Sequence, residues 1–248
     1  MDKLSVILIT KNEIRNIRAC LASVAWADEI IVVDSGSTDG TLAVCRELGA
    51  QVYQLDWPGF GVQKNRALAY ASHAWILSID ADERVTAELR DEIRTILAGP
   101  VRMDGYEIPR ISSFCGRFIH HSGWRPDYVL RLFRRNQAKF SDALVHEAVQ
   151  MQGQRGQLQH ALLHYSYRDF EDVIAKLNDY SSAAAEMQQR RGKRGGLGTA
   201  LLHGGWAFFR TYVLRRGFLD GREGVMLAIM NAENSYYRYI KLWLKQQR

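Results

Sequence analysis

Cysteine is scarce in this chain and long apolar runs are missing. Its only cysteines are Cys20, Cys45 and Cys115, which are odd in number and show no metal-ligand spacing. Cys20 and Cys45 fall within helical patterns, so buried free thiols in a reducing compartment are expected. No apolar stretch reaches the about 20 residues that a membrane span requires. Met1-Asp2-Lys3 runs straight into a strand pattern, so no signal peptide is expected and a cytoplasmic chain is. Neither Gly-x-Gly-x-x-Gly nor a Walker sequence occurs, which argues against a dinucleotide enzyme and a P-loop NTPase.

What is present is an ordinary folded composition. The 248 residues are 47% hydrophobic and 24% charged, enough for one large domain or one domain with an appendage. The net charge of +6 is unevenly spread. Residues 190–248 hold twelve Lys and Arg against three Asp and Glu, a balance of +9. Residues 1–189 hold 21 basic and 24 acidic residues, a balance of −3. A mildly acidic body thus carries a basic tail, which implies an anionic partner, nucleic acid or phospholipid, or else a solvated helical face.

The first hundred residues alternate strand and helix patterns. Leu4 to Thr10 reads as a buried strand, Asn12 as an N-cap, and Ile14, Ile17, Leu21 and Val24 as one helix face. Glu29 to Asp34, Gln51 to Leu55 and Trp75 to Asp80 read as further strands, Val62 to Ala71 as a helix, and Thr86 as the cap of a helix to Leu97. This alternation implies an α/β fold with a mostly parallel sheet flanked by helices. Beyond Gly99, Tyr106 to Arg110 and Tyr128 to Arg135 alternate as strands. From about Asp169 the pattern is helical, broken by glycines at Gly192 to Gly198.

In an open α/β sheet, ligands sit at the carboxyl ends of the strands. Three candidate loops lie there: Thr10 to Glu13, Asp34 to Asp39, and Asp80 to Asp82. The last, in Trp75-Ile76-Leu77-Ser78-Ile79-Asp80-Ala81-Asp82-Glu83, places two carboxylates two residues apart after an apolar run. Such a pair suits a hard divalent cation shared with a diphosphate. Thr10 to Glu13 opens a helix whose amides favour an anion. Asp34 either accepts a hydrogen bond from a base or ribose or forms a turn. Lys64 and Arg66 open a helix near the same edge, placed to meet a phosphate or to face solvent.

Leu4-Ser5-Val6-Ile7-Leu8-Ile9-Thr10-Lys11-Asn12-Glu13, Val32-Val33-Asp34-Ser35-Gly36-Ser37-Thr38-Asp39-Gly40-Thr41, Lys64-Asn65-Arg66-Ala67 and Asp80-Ala81-Asp82-Glu83 resemble, in order, the family 2 glycosyltransferases of GT-A fold. Gly123-Trp124-Arg125-Pro126-Asp127, Arg131-Leu132-Phe133 and Val145-His146-Glu147 resemble a narrower group, the bacterial lipopolysaccharide inner-core β-1,4-glucosyltransferases acting on heptose. The resemblance implies a GT-A catalytic domain over 1–165, with a nucleotide-binding half (1–100) and an acceptor half (101–165). A basic helical region, 166–248, follows it.

The resemblance further implies a metal-dependent, inverting hexosyltransferase that takes glucose from UDP-glucose to a lipid-linked heptose. Thr10, Asn12, Glu13 and Asp34 would line the nucleotide pocket, with Lys64 and Arg66 nearby. Asp80 would face the ribose or the metal, and Asp82 would bind Mg or Mn. Inversion by single displacement needs a general base. Glu147 is the expected base, Asp127 the second candidate, and a surface glutamate or partner of Arg131 the structural alternative for Glu147. His164 is a possible third metal ligand, while the adjacent His120 and His121 suit a phosphorylated acceptor better than a metal.

The tail interleaves Trp206, Phe208, Phe209 and Tyr212 with Arg210, Arg215 and Arg216, and Tyr236, Tyr237 and Trp243 with Arg238, Lys241 and Lys245. That mixture suits peripheral binding to the anionic inner face of the inner membrane, without nucleic acid as partner. An ordinary helical subdomain is the alternative. Rivals in function are another sugar donor or polysaccharide acceptor within the family, a nucleotidyltransferase, or a basic nucleic-acid-binding protein. The last leaves Asp80 and Asp82 without purpose.

Overall fold

Strand β1, Leu4–Thr10, is apolar on both faces, as a strand covered by helices on each side must be. Leu4, Val6 and Leu8 enter one core layer and Ile7 the other. Strand β2, Glu29–Asp34, repeats the alternation, with Ile30 and Val32 in the first layer and Ile31 and Val33 in the second. Helices α1, Ile14–Val24, and α2, Thr41–Glu47, cover the first layer with Ile17, Cys20, Leu21, Val24, Val44 and Cys45. After β3, Gln51–Gln54, helix α3, Phe60–Tyr70, covers the second layer with Ala67 and Leu68. Strand β4, Trp75–Ser78, again feeds both layers, and β5, Glu83–Val85, leads into α4, Ala87–Ala98. The α4 N-cap is Thr86, whose hydroxyl accepts from the Leu89 N–H at 3.1 Å, as its position predicts.

The structure is a computed structural model that describes residues 2–100, 103–141 and 149–247. The chain divides into two units: Met1–Arg110 with Asp127–His164, and Ile111–Pro126 with Tyr165–Arg248. In the first, β3, β2, β1 and β4 are parallel neighbours in that order. The register pairs Thr10 with Asp34 and Ile7 with Ser78, so the three strands end on one edge. Strand β6, Gly105–Phe114, carries the hairpin strand β7, Arg117–Phe118. Strand β8, Tyr128–Arg134, runs antiparallel to both β4 and β6. Strands β9, Ala138–Phe140, and β10, Val149–Met151, form a small ribbon, and β11, Arg155–Gln157, pairs parallel with β6. Strand β12, Leu162–Tyr167, pairs antiparallel with β5, setting His164 opposite Glu83.

The second unit is built on α5, Phe170–Arg190, α6, Leu197–Phe209, and α7, Gly221–Gln246. Residues 111–126 belong with these helices, because Phe114 and Ile119 bury themselves against Val173 and Leu227.

Candidate active site

The loops after β1 and β2 are tied together by their own polar side chains. Asp34 is fully buried at the end of β2. One of its oxygens accepts from the Gly36 and Ser37 amides at 2.9 and 2.8 Å, the other from the Thr10 hydroxyl at 3.0 Å and from the Ser37 hydroxyl. The turn so formed puts Gly36 at a φ of 88°, where a side chain would be strained. Of the two roles open to Asp34, the turn-forming one is what its hydrogen bonds serve here.

Asn12 is not the N-cap of α1. Its φ is 56°, Glu13 occupies the cap position, and the Asn12 amide oxygen accepts from the Thr38 N–H at 2.8 Å. Asn tolerates this left-handed backbone, and its short side chain reaches the neighbouring loop better than its own helix. The Asn12 amide donates to Ser37 Oγ and the Glu13 amide to Thr41 Oγ1, both at 2.8 Å. These bonds tie the two loops to each other.

Helix α3 joins this pair of loops to the third. Gln63 donates to Ser35 Oγ at 2.8 Å, and the next residue, Lys64, meets Asp80 Oδ1 at 2.9 Å. Adjacent residues thus touch the loop after β2 and the loop after β4, so all three candidate loops converge. Lys64, Asn65 and Arg66 separate in direction. Asn65 exchanges two hydrogen bonds with the Phe140 backbone, holding β9, while Arg66 reaches Asp56 at 2.8 Å and Gln63 at 3.0 Å. Of the two cations expected near a phosphate, only Lys64 reaches the acid loop.

Asp80 is held between two cations. Arg131, buried on β8, meets its other oxygen at 2.5 Å. Burial alone would raise the Asp80 carboxyl, but the Arg131 and Lys64 charges outweigh it and hold the group well below the usual carboxylate range. Burial likewise lowers the Arg131 guanidinium, and Asp80 and Glu83 more than reverse that. Glu83 is fully buried and organises the turn. Its Oε2 accepts from the Asp80 amide at 2.9 Å, and its Oε1 meets Arg131 at 2.7 Å and Arg110 at 3.4 Å. Glu83 and Arg131 stand in two separate motifs of the sequence, and only the fold brings them together.

Asp82 faces the other way. Its Oδ2 lies 3.3 Å from His164 Nε2, because β12 sets His164 opposite Glu83. Both side chains are partly exposed. Two ligand-type groups therefore meet on one side of the turn, while Asp80 spends both oxygens on cations. No group of three His, Cys, Asp or Glu ligands occurs among the described residues, so a cation here would draw its remaining ligands from substrate or water. On that basis Asp82 with His164 fits Mg or Mn, and Asp80 fits less well.

Beside Asp80 opens a cleft of about 490 Å³, lined among others by Lys64, Arg110, Tyr128, Arg131, Phe140 and Arg155. Such a volume suits a small ligand. Asp127 stands at its margin through Arg110, whose Nε donates to Asp127 Oδ2 at 2.9 Å. Glu147 lies outside the described residues. In the second unit Asp220 holds the backbone of the His120-His121 pair: it accepts from both backbone amides at 3.1 Å and from the Ser122 hydroxyl at 2.7 Å, and lies 3.2 Å from His121 Nδ1.

Residues 5–157 match the family described as Glycosyl transferase family 2. An uncharacterized glycosyltransferase of Rickettsia felis is 33% identical, the match covering 98% of this chain and 90% of that protein. The lipopolysaccharide core biosynthesis glycosyltransferase LpsC of Rhizobium meliloti is 30% identical, covering 95% of this chain and 93% of its own length. Among solved structures, S. aureus TarS 1-349 in complex with UDP-GlcNAc shares the fold, with a TM-score of 0.51 at 18% identity over 99% of this chain and 92% of that one. With a family match over more than half its length, and the strand-end acid loops converging as that family's order of motifs implies, the chain belongs to glycosyltransferase family 2 and has the GT-A fold.

Proposed function

We propose that this transferase is metal-dependent and inverting, moving glucose from UDP-glucose to a heptose of the lipopolysaccharide inner core. The observation that carries the reading is the acid turn after β4, with Asp80 directed into a cationic cleft and Asp82 directed to His164. Similarity to LpsC, whose name places it in lipopolysaccharide core biosynthesis, supports the acceptor class. Family membership removes the nucleotidyltransferase alternative. A different donor sugar or polysaccharide acceptor is the remaining rival.

In this reading Thr10, Asn12, Glu13 and Asp34 frame the nucleotide, with Asp34 shaping the pocket from behind. Asp82 and His164 would hold Mg or Mn, and Asp80 would face the ribose. When bound, that ion neutralises charge gathering on the leaving diphosphate. Lys64 and Arg131 keep Asp80 ionised and fix its direction, which limits reorganisation as the bond to C1 breaks. The acceptor hydroxyl attacks C1 from the opposite face and passes its proton to the Glu147 carboxylate. Asp127, the second candidate, already serves Arg110. No helix among the described residues is long and apolar enough to cross a membrane; in this reading the lipid-linked acceptor is met at the inner face of the inner membrane.

The test incubates the protein with a panel of UDP-sugars, Mn²⁺ and core lipid from a strain lacking it, and measures released UDP. Acceptor-stimulated release with UDP-glucose is expected. Stimulation by a different UDP-sugar alone would refute the donor, and no stimulation by this lipid with any donor would refute the acceptor.

A further inference from the structure

Helix α6 is inside out. Ala200, Gly204 and Ala207 are buried at helical spacing, and Thr211 continues that stripe into the π-helical turn Arg210–Leu214. Small side chains let α6 lie close on α7: a Cβ at Gly204 would sit 3.3 Å from the Ala232 carbonyl oxygen. The large apolar side chains stand outward. Leu201, Leu202, Trp206, Phe209, Val213 and Leu214 are all exposed, Leu202 by 73% and Trp206 by 53%. A helix of a soluble domain points such residues inward. A contiguous apolar surface of this kind marks an interaction site.

Charge selects the occupant. Residues 190–222 contain eight Lys and Arg and a single acid, Asp220. That acid is buried against His120, His121 and Ser122, so it offsets nothing at the surface. Arg190, Arg191, Lys193 and Arg194 precede the helix, and Arg210, Arg215 and Arg216 are exposed along and beyond it. A second copy of the chain would set these cations against their equals. An anionic lipid surface takes both features, rings and leucines at the acyl boundary and guanidinia among the phosphates.

We infer that the second unit docks on anionic phospholipid through the outer face of α6 and the turn that follows it, the helix lying in the plane of the interface. Two lysines of α7 are engaged elsewhere. The Lys241 ammonium donates to the Asn178 carbonyl and to Ser181 and Ser182, and Lys245 pairs with Glu186 at 2.9 Å. These lysines fasten α7 to α5. The inference deepens the proposed function by giving it a membrane-facing surface, and rests on that reading only for the lipid-linked acceptor.

The test is co-sedimentation of the full chain with phosphatidylcholine vesicles, with and without phosphatidylglycerol. Wild type should bind the anionic vesicles. The double variant Trp206→Ser, Phe209→Ser should bind at least tenfold more weakly at both low and high salt. Arg210→Gln, Arg216→Gln should lose several-fold at low salt only. Brominated acyl chains should quench wild-type fluorescence more than that of Trp206→Phe. Binding unchanged in the folded Trp206→Ser, Phe209→Ser variant would overturn the inference, as would no wild-type binding or self-association in its place. Vesicle binding needs no catalysis, so a failed UDP-release assay beside intact binding would count against the proposed function alone.

Discussion

Replacing Glu83 by Gln keeps the shape of a fully buried side chain and removes its charge. In the native protein Oε1 faces two guanidinia, Arg131 at 2.7 Å and Arg110 at 3.4 Å, while Oε2 accepts from the Asp80 amide. A glutamine must turn its NH₂ toward a guanidinium or toward an N–H, so one donor always meets another. Breaking a buried ion pair on one side costs about 3–5 kcal/mol, out of a total stability of about 5–15 kcal/mol. At about 2–4 °C per kcal/mol for a chain of this size, Tm should fall by about 6–20 °C. Transfer should fall further than stability predicts, because the turn that orients Asp80 and Asp82 loses its anchor. The assay is thermal unfolding followed by circular dichroism, beside UDP release measured well below the transition. Glu47→Gln is the control, since the Glu47–Arg18 pair is exposed on both sides and should contribute little. A Glu83→Gln protein melting within about 2 °C of wild type, with full transfer, would refute the assignment of Glu83 as organiser of the turn.

Three further outcomes follow from the same contacts. Asp82→Ala should keep the fold and lower transfer about a thousandfold, losing several kcal/mol of transition-state stabilisation; near-normal transfer by that variant, or by metal-stripped protein, contradicts the metal role. Glu147→Gln should reduce kcat about a hundredfold or more with donor binding retained, whereas the same loss in Asp127→Asn alone would reverse the two assignments. Burial would raise the Asp220 carboxyl, but the Ser122 hydroxyl and the His120 and His121 amides outweigh that and hold it below its ordinary value. Its stabilisation is therefore complete above the unfolded value of about 3.9 and is lost as pH falls through the lower folded one; Asp220→Asn should flatten the acid limb of a Tm-against-pH curve.

The parts of the fold set by short-range chemistry were legible in the chain. Both-sided apolar runs marked β1 and β2 to their last residues, and Thr86 marked the start of α4, since period and capping are local properties. The convergence of three acid-bearing loops followed from parallel strands ending on one edge. Which side chains then meet was not local information. Lys64 and Arg66 look equivalent in sequence, yet only the former reaches Asp80, because residues two apart on a helix point in different directions. Asn12 carries a capping side chain but spends it across the gap to Thr38.

Glu83 and Arg131 lie far apart in the chain, and their pairing exists only because β8 lies beside β4. A buried acid has to be met by a cation, and the neighbouring strand β8 supplies Arg131 to Glu83. The tail shows the converse. Its composition implied one basic, aromatic surface, whereas the fold divides it: Lys241 and Lys245 fasten helices, and α6 turns its small residues inward and its large ones out. Net charge is additive over sequence. The work each charge does depends on which groups the fold has already given it.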